Sequence, residues 1–160
     1  MQNNEFRQLG KTQSLAFAVG GMLMVVGVGS FVFMFHQQLS ALVFTVGALL
    51  FAVMQTMQAY LGSNITLRRL KSIMNLAGLL FVLAGVLMVD TAMTNAALAD
   101  PAANATRFLS NMFTNWTTYI ECVYNKWIIL LAIAVVLELY TTHRISAELA
   151  KQSKNDSSEN

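Results

Sequence analysis

Residues 14–35 read SLAFAVGGMLMVVGVGSFVFMF, an uncharged run of 22 positions. At about 1.5 Å per residue a helix of that length covers about 33 Å, enough for the roughly 30 Å hydrocarbon core of a bilayer. The run is longer than the apolar core of a signal peptide, and no small-x-small cleavage site follows His36, so it is expected to stay in the mature chain. Only His36-Gln37-Gln38 separates it from a second apolar run, 39–61, which predicts a tight turn and a helical hairpin.

Working outward, two further spans emerge. A third runs over 73–93, with Asp90 expected at its far interface. The fourth, 124–140, reaches spanning length because Tyr124, Trp127 and Tyr140 flank it, as amphipathic aromatics do at membrane interfaces. The composition agrees: 56% of the 160 residues are hydrophobic and 11% are charged, where a soluble domain carries charge at about a quarter of its positions. The expected fold is therefore all-α: an integral membrane four-helix bundle forming one domain over 1–150, followed by a disordered polar tail over 151–160.

Charge placement sets the orientation. Arg7, Lys11, Arg68, Arg69, Lys71, Arg144, Lys151 and Lys154 fall on one side of such a bundle, and only Arg107 and Lys126 on the other. The positive-inside rule then puts both termini in the cytoplasm, in a plasma membrane or a bacterial inner membrane. Basic residues that mark span ends in this way form no stripe interleaved with aromatics, so the net charge of +2 does not point to nucleic acid.

The long connection between spans three and four carries its own pattern. Phe108, Met112, Phe113 and Trp116 recur at helical spacing with polar residues between them, and Asp100-Pro101 suits a helix start. This predicts an outer amphipathic helix over 102–123, lying on lipid, on a partner or as a cap over the bundle, and helix continuing with few breaks to residue 150.

Small residues mark packing faces: Ala16, Gly20 and Gly27 on the first span, Gly78 and Gly85 on the third. A shift of 58 residues superposes Gly20 on Gly78 and Gly27 on Gly85, a weak sign of two duplicated hairpins.

Polar groups inside a bilayer are costly and therefore informative. Gln55, Gln58, Asn75 and Glu138 come from three spans and share a depth in the cytoplasmic half, where Arg68, Arg69, Lys71, His143 and Arg144 would ring an opening. One reading is a proton or cation site with Glu138 as the titrating group; the other is interhelical hydrogen bonding alone.

No cofactor or metal is expected. The one cysteine, Cys122, cannot form an internal disulfide, and His36 and His143 belong to opposite sides. Phosphate-binding, serine-hydrolase and zinc-protease motifs are absent, so an enzyme is not expected. The leading expectation is a non-enzymatic interaction or accessory subunit partnered by lipid and other membrane subunits. The alternative is a small proton- or cation-linked transporter or channel working as a homo-oligomer.

Overall fold

A computed structural model describes residues 11–57, 65–99, 109, 112 and 115–158, and among them there are helices and no strands. The helices are α1 (Lys11–Val32), α2 (Gln37–Met57), α3 (Ile65–Ala99), α4 (Trp116–Cys122) and α5 (Trp127–Ser158). Four helical stretches are long and apolar enough to cross a membrane: α1, α2, α3 and the stretch that ends at Glu148 in α5. This is the make-up of a multi-pass membrane bundle.

The buried positions explain how the helices meet. They recur every seven residues: Gly20 and Gly27 with Met24 and Phe31 on α1; Ala41, Ala48 and Gln55 on α2; Lys71, Gly78, Gly85 and Ala92 on α3; Trp127, Ala134 and Thr141 on α5. A seven-residue repeat keeps one seam facing a neighbour when helices cross at shallow angles. α2 packs between α1 and α3, and α3 packs on α5. Phe31 of α1 meets Trp127 of α5 edge-on, with ring centres 5.2 Å apart. The apolar core between the helices holds Met24, Phe44, Ala48, Phe81, Ala84 and Met88.

Glycine permits this approach. A Cβ built on Gly27 would lie 2.6 Å from the main-chain nitrogen of Phe44, and one on Gly47 would lie 2.8 Å from the carbonyl oxygen of Gly20. Backbone thus rests on backbone along α1 and α2, the close packing that small residues allow where burial from water supplies no drive. Gly85 meets Thr45 on the other side of α2. The glycines of α1 and those of α3 therefore both press on α2. A duplicated hairpin would have turned Gly78 and Gly85 toward α5, so the 58-residue likeness reflects a shared neighbour.

Several boundaries differ from those read in the sequence. The turn between α1 and α2 lies at Phe33–His36, three residues early, and α2 begins at Gln37. Met34 and His36 take positive φ there, and Ser40 Oγ donates to the Phe35 carbonyl at 2.7 Å, closing the turn. α3 extends beyond 73–93 at both ends. α5 continues through the expected disordered tail as far as Ser158, since no glycine or proline after residue 101 stops it.

The outer amphipathic helix over 102–123 is a correction. Among the described residues of that stretch α-helix is present over Trp116–Cys122, and Asn115 before it is extended, with φ −119° and ψ 123°. A second break follows, where Asn125 takes φ 62° and its Oδ1 accepts the Trp127 indole N–H at 3.1 Å. The physical reason lies on α3. Asp90 captures backbone that a helix would have used, its Oδ1 accepting the Leu109 N–H at 2.9 Å, while Oδ2 accepts the Tyr119 hydroxyl. Thr94 Oγ1 lies 2.9 Å from the same hydroxyl. Tyr124 donates to Asn95 at 2.6 Å, and Asn95 donates on to Gln37 at 3.1 Å. Leu109, Tyr119 and Tyr124 are thus tied to α3 near the end where that helix finishes. Tyr119, fully buried, is the anchor. Of the expected docking stripe, Met112 is 72% and Trp116 42% exposed; Phe108 and Phe113 lie outside the described residues.

Two outcomes follow from this packing. Gly27→Ala should destabilise the bundle by about 1–3 kcal/mol in detergent unfolding, because the backbone it would strike cannot yield as a side chain can. Gly29→Ala, where nothing lies within 4 Å, should be close to neutral. Equal losses at the two sites would rule out the close α1–α2 contact. At the outer end, Tyr119→Phe leaves the Asp90 carboxylate short of a donor, a loss of about 1.5–3 kcal/mol for a bond to a charged group. Hydrogen exchange should accelerate at Leu109 and through α4 while the α1–α2 hairpin stays protected.

Candidate functional site

The same seven-residue repeat that packs the helices also carries polar side chains inward near one end. On α2 the series Ala41, Ala48 arrives at Gln55, which is 0% exposed. On α3 the series that holds Gly85 and Gly78 arrives at Lys71, 9% exposed. On α5, Glu138 stands one turn beyond Ala134 and is partly buried. α1 and α3 run antiparallel to α2, as does α5 to α3. All three positions therefore reach one level, near the end where α1 and α3 begin and α2 and α5 finish.

Gln55 joins the other two. Its side-chain Nε2 donates to both carboxylate oxygens of Glu138, at 2.7 and 2.8 Å. Its main-chain carbonyl accepts from Lys71 Nζ at 2.6 Å. The ammonium and the carboxylate thus share one residue as go-between, and their opposite charges offset each other within the bundle. Desolvating two charges is expensive, and such a pair persists only when its remaining bonds are well met.

They are met incompletely. Gln55 Oε1 and Asn75 Oδ1 are buried without a hydrogen-bond partner. Oε1 faces α3 at Gly78, where a Cβ would overlap it. The missing side chain at position 78 is therefore the space that the Gln55 amide occupies. Beside the polar group lies a cavity of about 380 Å³, lined by Phe17 of α1, Phe51 of α2, Lys71 and Met74 of α3, and Glu138, Thr142 and Ile145 of α5. Phe17 and Phe51 stack with ring centres 4.4 Å apart.

Of the four expected site residues, the structure brings together Gln55 and Glu138. Asn75 sits one turn from Lys71 on α3, but no hydrogen bond joins it to either of them. Gln58 lies outside the described residues. Among the basic residues expected to ring the opening, Arg68, Arg69, His143 and Arg144 are exposed, whereas Lys71 belongs to the interior. A signal for Lys71 was available: it falls in step with Leu67, Met74 and Gly78, while Arg68 and Arg69 fall out of step. Ala16 is partly buried, and the four packing glycines Gly20, Gly27, Gly78 and Gly85 are buried.

Larger crevices lie at the opposite end, about 580 and 500 Å³, but their central polar groups Gln37 and Asn95 already bond to each other. Among the described residues no group of three His, Cys, Asp or Glu gathers to hold a metal ion. In comparisons with known proteins, no family model, curated protein or solved structure matches the chain.

The fit of Gln55 against Gly78 can be tested by a double-mutant cycle. Gly78→Ala alone should cost about 1–3 kcal/mol by displacing the amide. With Gln55→Ala already present, the same change should be nearly silent, since the other neighbours of the new Cβ, on Ala52, stand at 3.5 and 3.6 Å. A coupling of about 1 kcal/mol or more is expected, and strict additivity would mean that the two residues do not meet.

Proposed function

We propose that this chain is a small proton-linked transporter, inserted in a membrane with both termini cytoplasmic and with Glu138 as the group that takes up and releases the proton. One observation carries this reading. A carboxylate held by a buried amide, with a lysine beside it, lines a cavity within the bundle. A pure packing device is better served by small or apolar residues, because replacing a buried charge pair with apolar groups is often neutral or stabilising. Ionisable residues inside spans mark solute and proton paths in many membrane proteins.

The orientation rests on charge. Lys11, Arg68, Arg69, Arg144 and Lys151 stand at the end that holds the cavity, and Lys126 at the other. With the basic end facing the cytoplasm, the cavity lies toward the cytoplasmic side. Exposed apolar side chains such as Met22, Val25, Val136 and Leu139 on α1 and α5 then face lipid or further copies of the chain. A bundle this small would line a path most readily as a homo-oligomer.

The second reading, an accessory subunit of a membrane complex, is supported by Met112 and Trp116, which leave apolar surface on the outer cap. The two readings separate in proteoliposomes that enclose a pH-sensitive dye and are offered a mixture of amino acids, sugars and inorganic salts. Wild type should move protons with solute. Glu138→Gln, which keeps the shape and cannot titrate, should abolish that movement while circular dichroism and elution volume stay unchanged. Equal flux in wild type and variant would remove Glu138 from the mechanism, and no flux in either would leave the accessory reading in front.

A further inference from the structure

Two opposite charges face the inner cavity without pairing directly. Lys71 and Glu138 both line it, yet among the described residues only Lys151 and Glu148 lie within ion-pair distance, at 3.4 Å. Gln55 holds the two apart, its carbonyl on Lys71 and its amide nitrogen on Glu138. Lys71 spends one of its three donors in this way, and the Glu138 carboxylate keeps lone pairs beyond those that Nε2 engages.

The rest of the wall narrows the ligand. Phe17, Phe51, Met74 and Ile145 add apolar surface to the lining that holds the charges, and Thr142 adds a hydroxyl one turn along α5 from Glu138. About 380 Å³ is within the usual range for small organic ligands. A bare divalent cation would find one carboxylate and an ammonium where calcium, for example, asks for six to eight oxygens. A ligand with only an anionic group would confront Glu138, and one with only a basic group would confront Lys71. A ligand carrying both signs close together satisfies both residues.

We propose that the inner cavity binds a zwitterion with an apolar body, of the chemistry of an apolar α-amino acid. Its ammonium group sits on Glu138, its carboxylate on Lys71, and its side chain lies against Phe17 and Phe51. The inference rests on the reading of this site as solute-binding and names the class of solute. An ammonium beside an anionic group also occurs on phosphatidylethanolamine, so the shared chemistry has two sources, a free amino acid or a lipid headgroup.

The test uses the full chain in nanodiscs made only of phosphatidylglycerol, which has no ammonium group, and measures equilibrium binding of radiolabelled leucine. Leucine should bind saturably. Isoamylamine, which lacks the carboxylate, and 4-methylpentanoate, which lacks the amine, should each compete about tenfold or more weakly, the scale of losing one charged hydrogen-bond partner. Lys71→Met should bring isoamylamine level with leucine. The wild-type comparison of the two half-analogues does not depend on that variant folding.

In a parallel arm, phosphatidylethanolamine is added to the nanodiscs. Lipid retained in native mass spectrometry, with leucine displaced or unbound, would assign the site to the headgroup; leucine binding that is indifferent to the lipid would assign it to the free amino acid. Either result supports the zwitterion. Binding of neither, or half-analogues that bind as well as leucine, would overturn it. Proton movement abolished by Glu138→Gln without zwitterion binding would leave the transport reading standing and remove this one, and zwitterion binding without proton movement would do the reverse.

Discussion

Everything in this bundle hangs on how closely α2 is held. Gly20 and Gly27 bring α1 onto one side of it at backbone contact, and Gly78 and Gly85 bring α3 onto the other. The α1 contacts leave little slack, since main-chain atoms have no alternative rotamers into which to retreat, while on the α3 side Gly78 and Gly85 receive the side chains of Gln55 and Thr45. The depth and rotation of α2 are thereby set, and with them the place of Gln55. Its amide lies over Gly78 and within reach of Glu138 on α5. The packing and the polar centre are the same seven-residue pattern read at different turns.

The two ends of the bundle handle buried polarity in opposite ways. At the end where α3 finishes, Asp90 is 3% exposed and its two oxygens receive a backbone N–H and a tyrosine hydroxyl, Thr94 meets that same hydroxyl, and Tyr124, Asn95 and Gln37 bond in a chain. That network is closed, and its effect is to pin the connecting segment over the helices. Between the ends the core is apolar, built from Met24, Phe44, Phe81, Ala84 and Met88. At the end where α1 and α3 begin the bonds do not close. Gln55 Oε1 and Asn75 Oδ1 lack partners, and charged groups face a cavity. Satisfied networks rigidify, whereas an unsatisfied one in a low-dielectric interior is held at a cost that a packing role does not require.

How far the sequence could carry the reading depended on whether local pattern or distant contact decided each feature. The four apolar stretches and the hairpin are plain from run length, and depth places Gln55, Gln58, Asn75 and Glu138 at one level without saying which of them meet. Helix ends were less accessible: the turn fell at Phe33–His36 because Met34 and His36 accept a left-handed backbone, which hydropathy does not register. The outer helix failed for a different reason. Its periodicity was real, but a carboxylate on α3 took the Leu109 N–H and the Tyr119 hydroxyl, so a long-range bond overrode a local preference. Lys71 was assigned to the basic fringe because charge was weighed before phase, although its spacing with Met74 and Gly78 already turned it inward.

That displacement of Lys71 changes the chemistry available to the site. A lone carboxylate in a membrane-spanning bundle draws protons or cations and must shed its charge when empty. With an ammonium held on the same glutamine, the empty site is close to neutral overall while presenting separated charges of both signs. The cost of keeping it ionised falls, because each charge sees the other across a short, poorly screened distance. A ligand that enters need not bring a compensating ion if it is itself neutral overall. It can then exchange its contacts for those that Gln55 makes, with little change in net charge at that depth. A site built on Glu138 alone would select by charge. One built on Glu138 and Lys71 together selects by the spacing of charges, and the stacked Phe17 and Phe51 that line the same cavity add selection by shape.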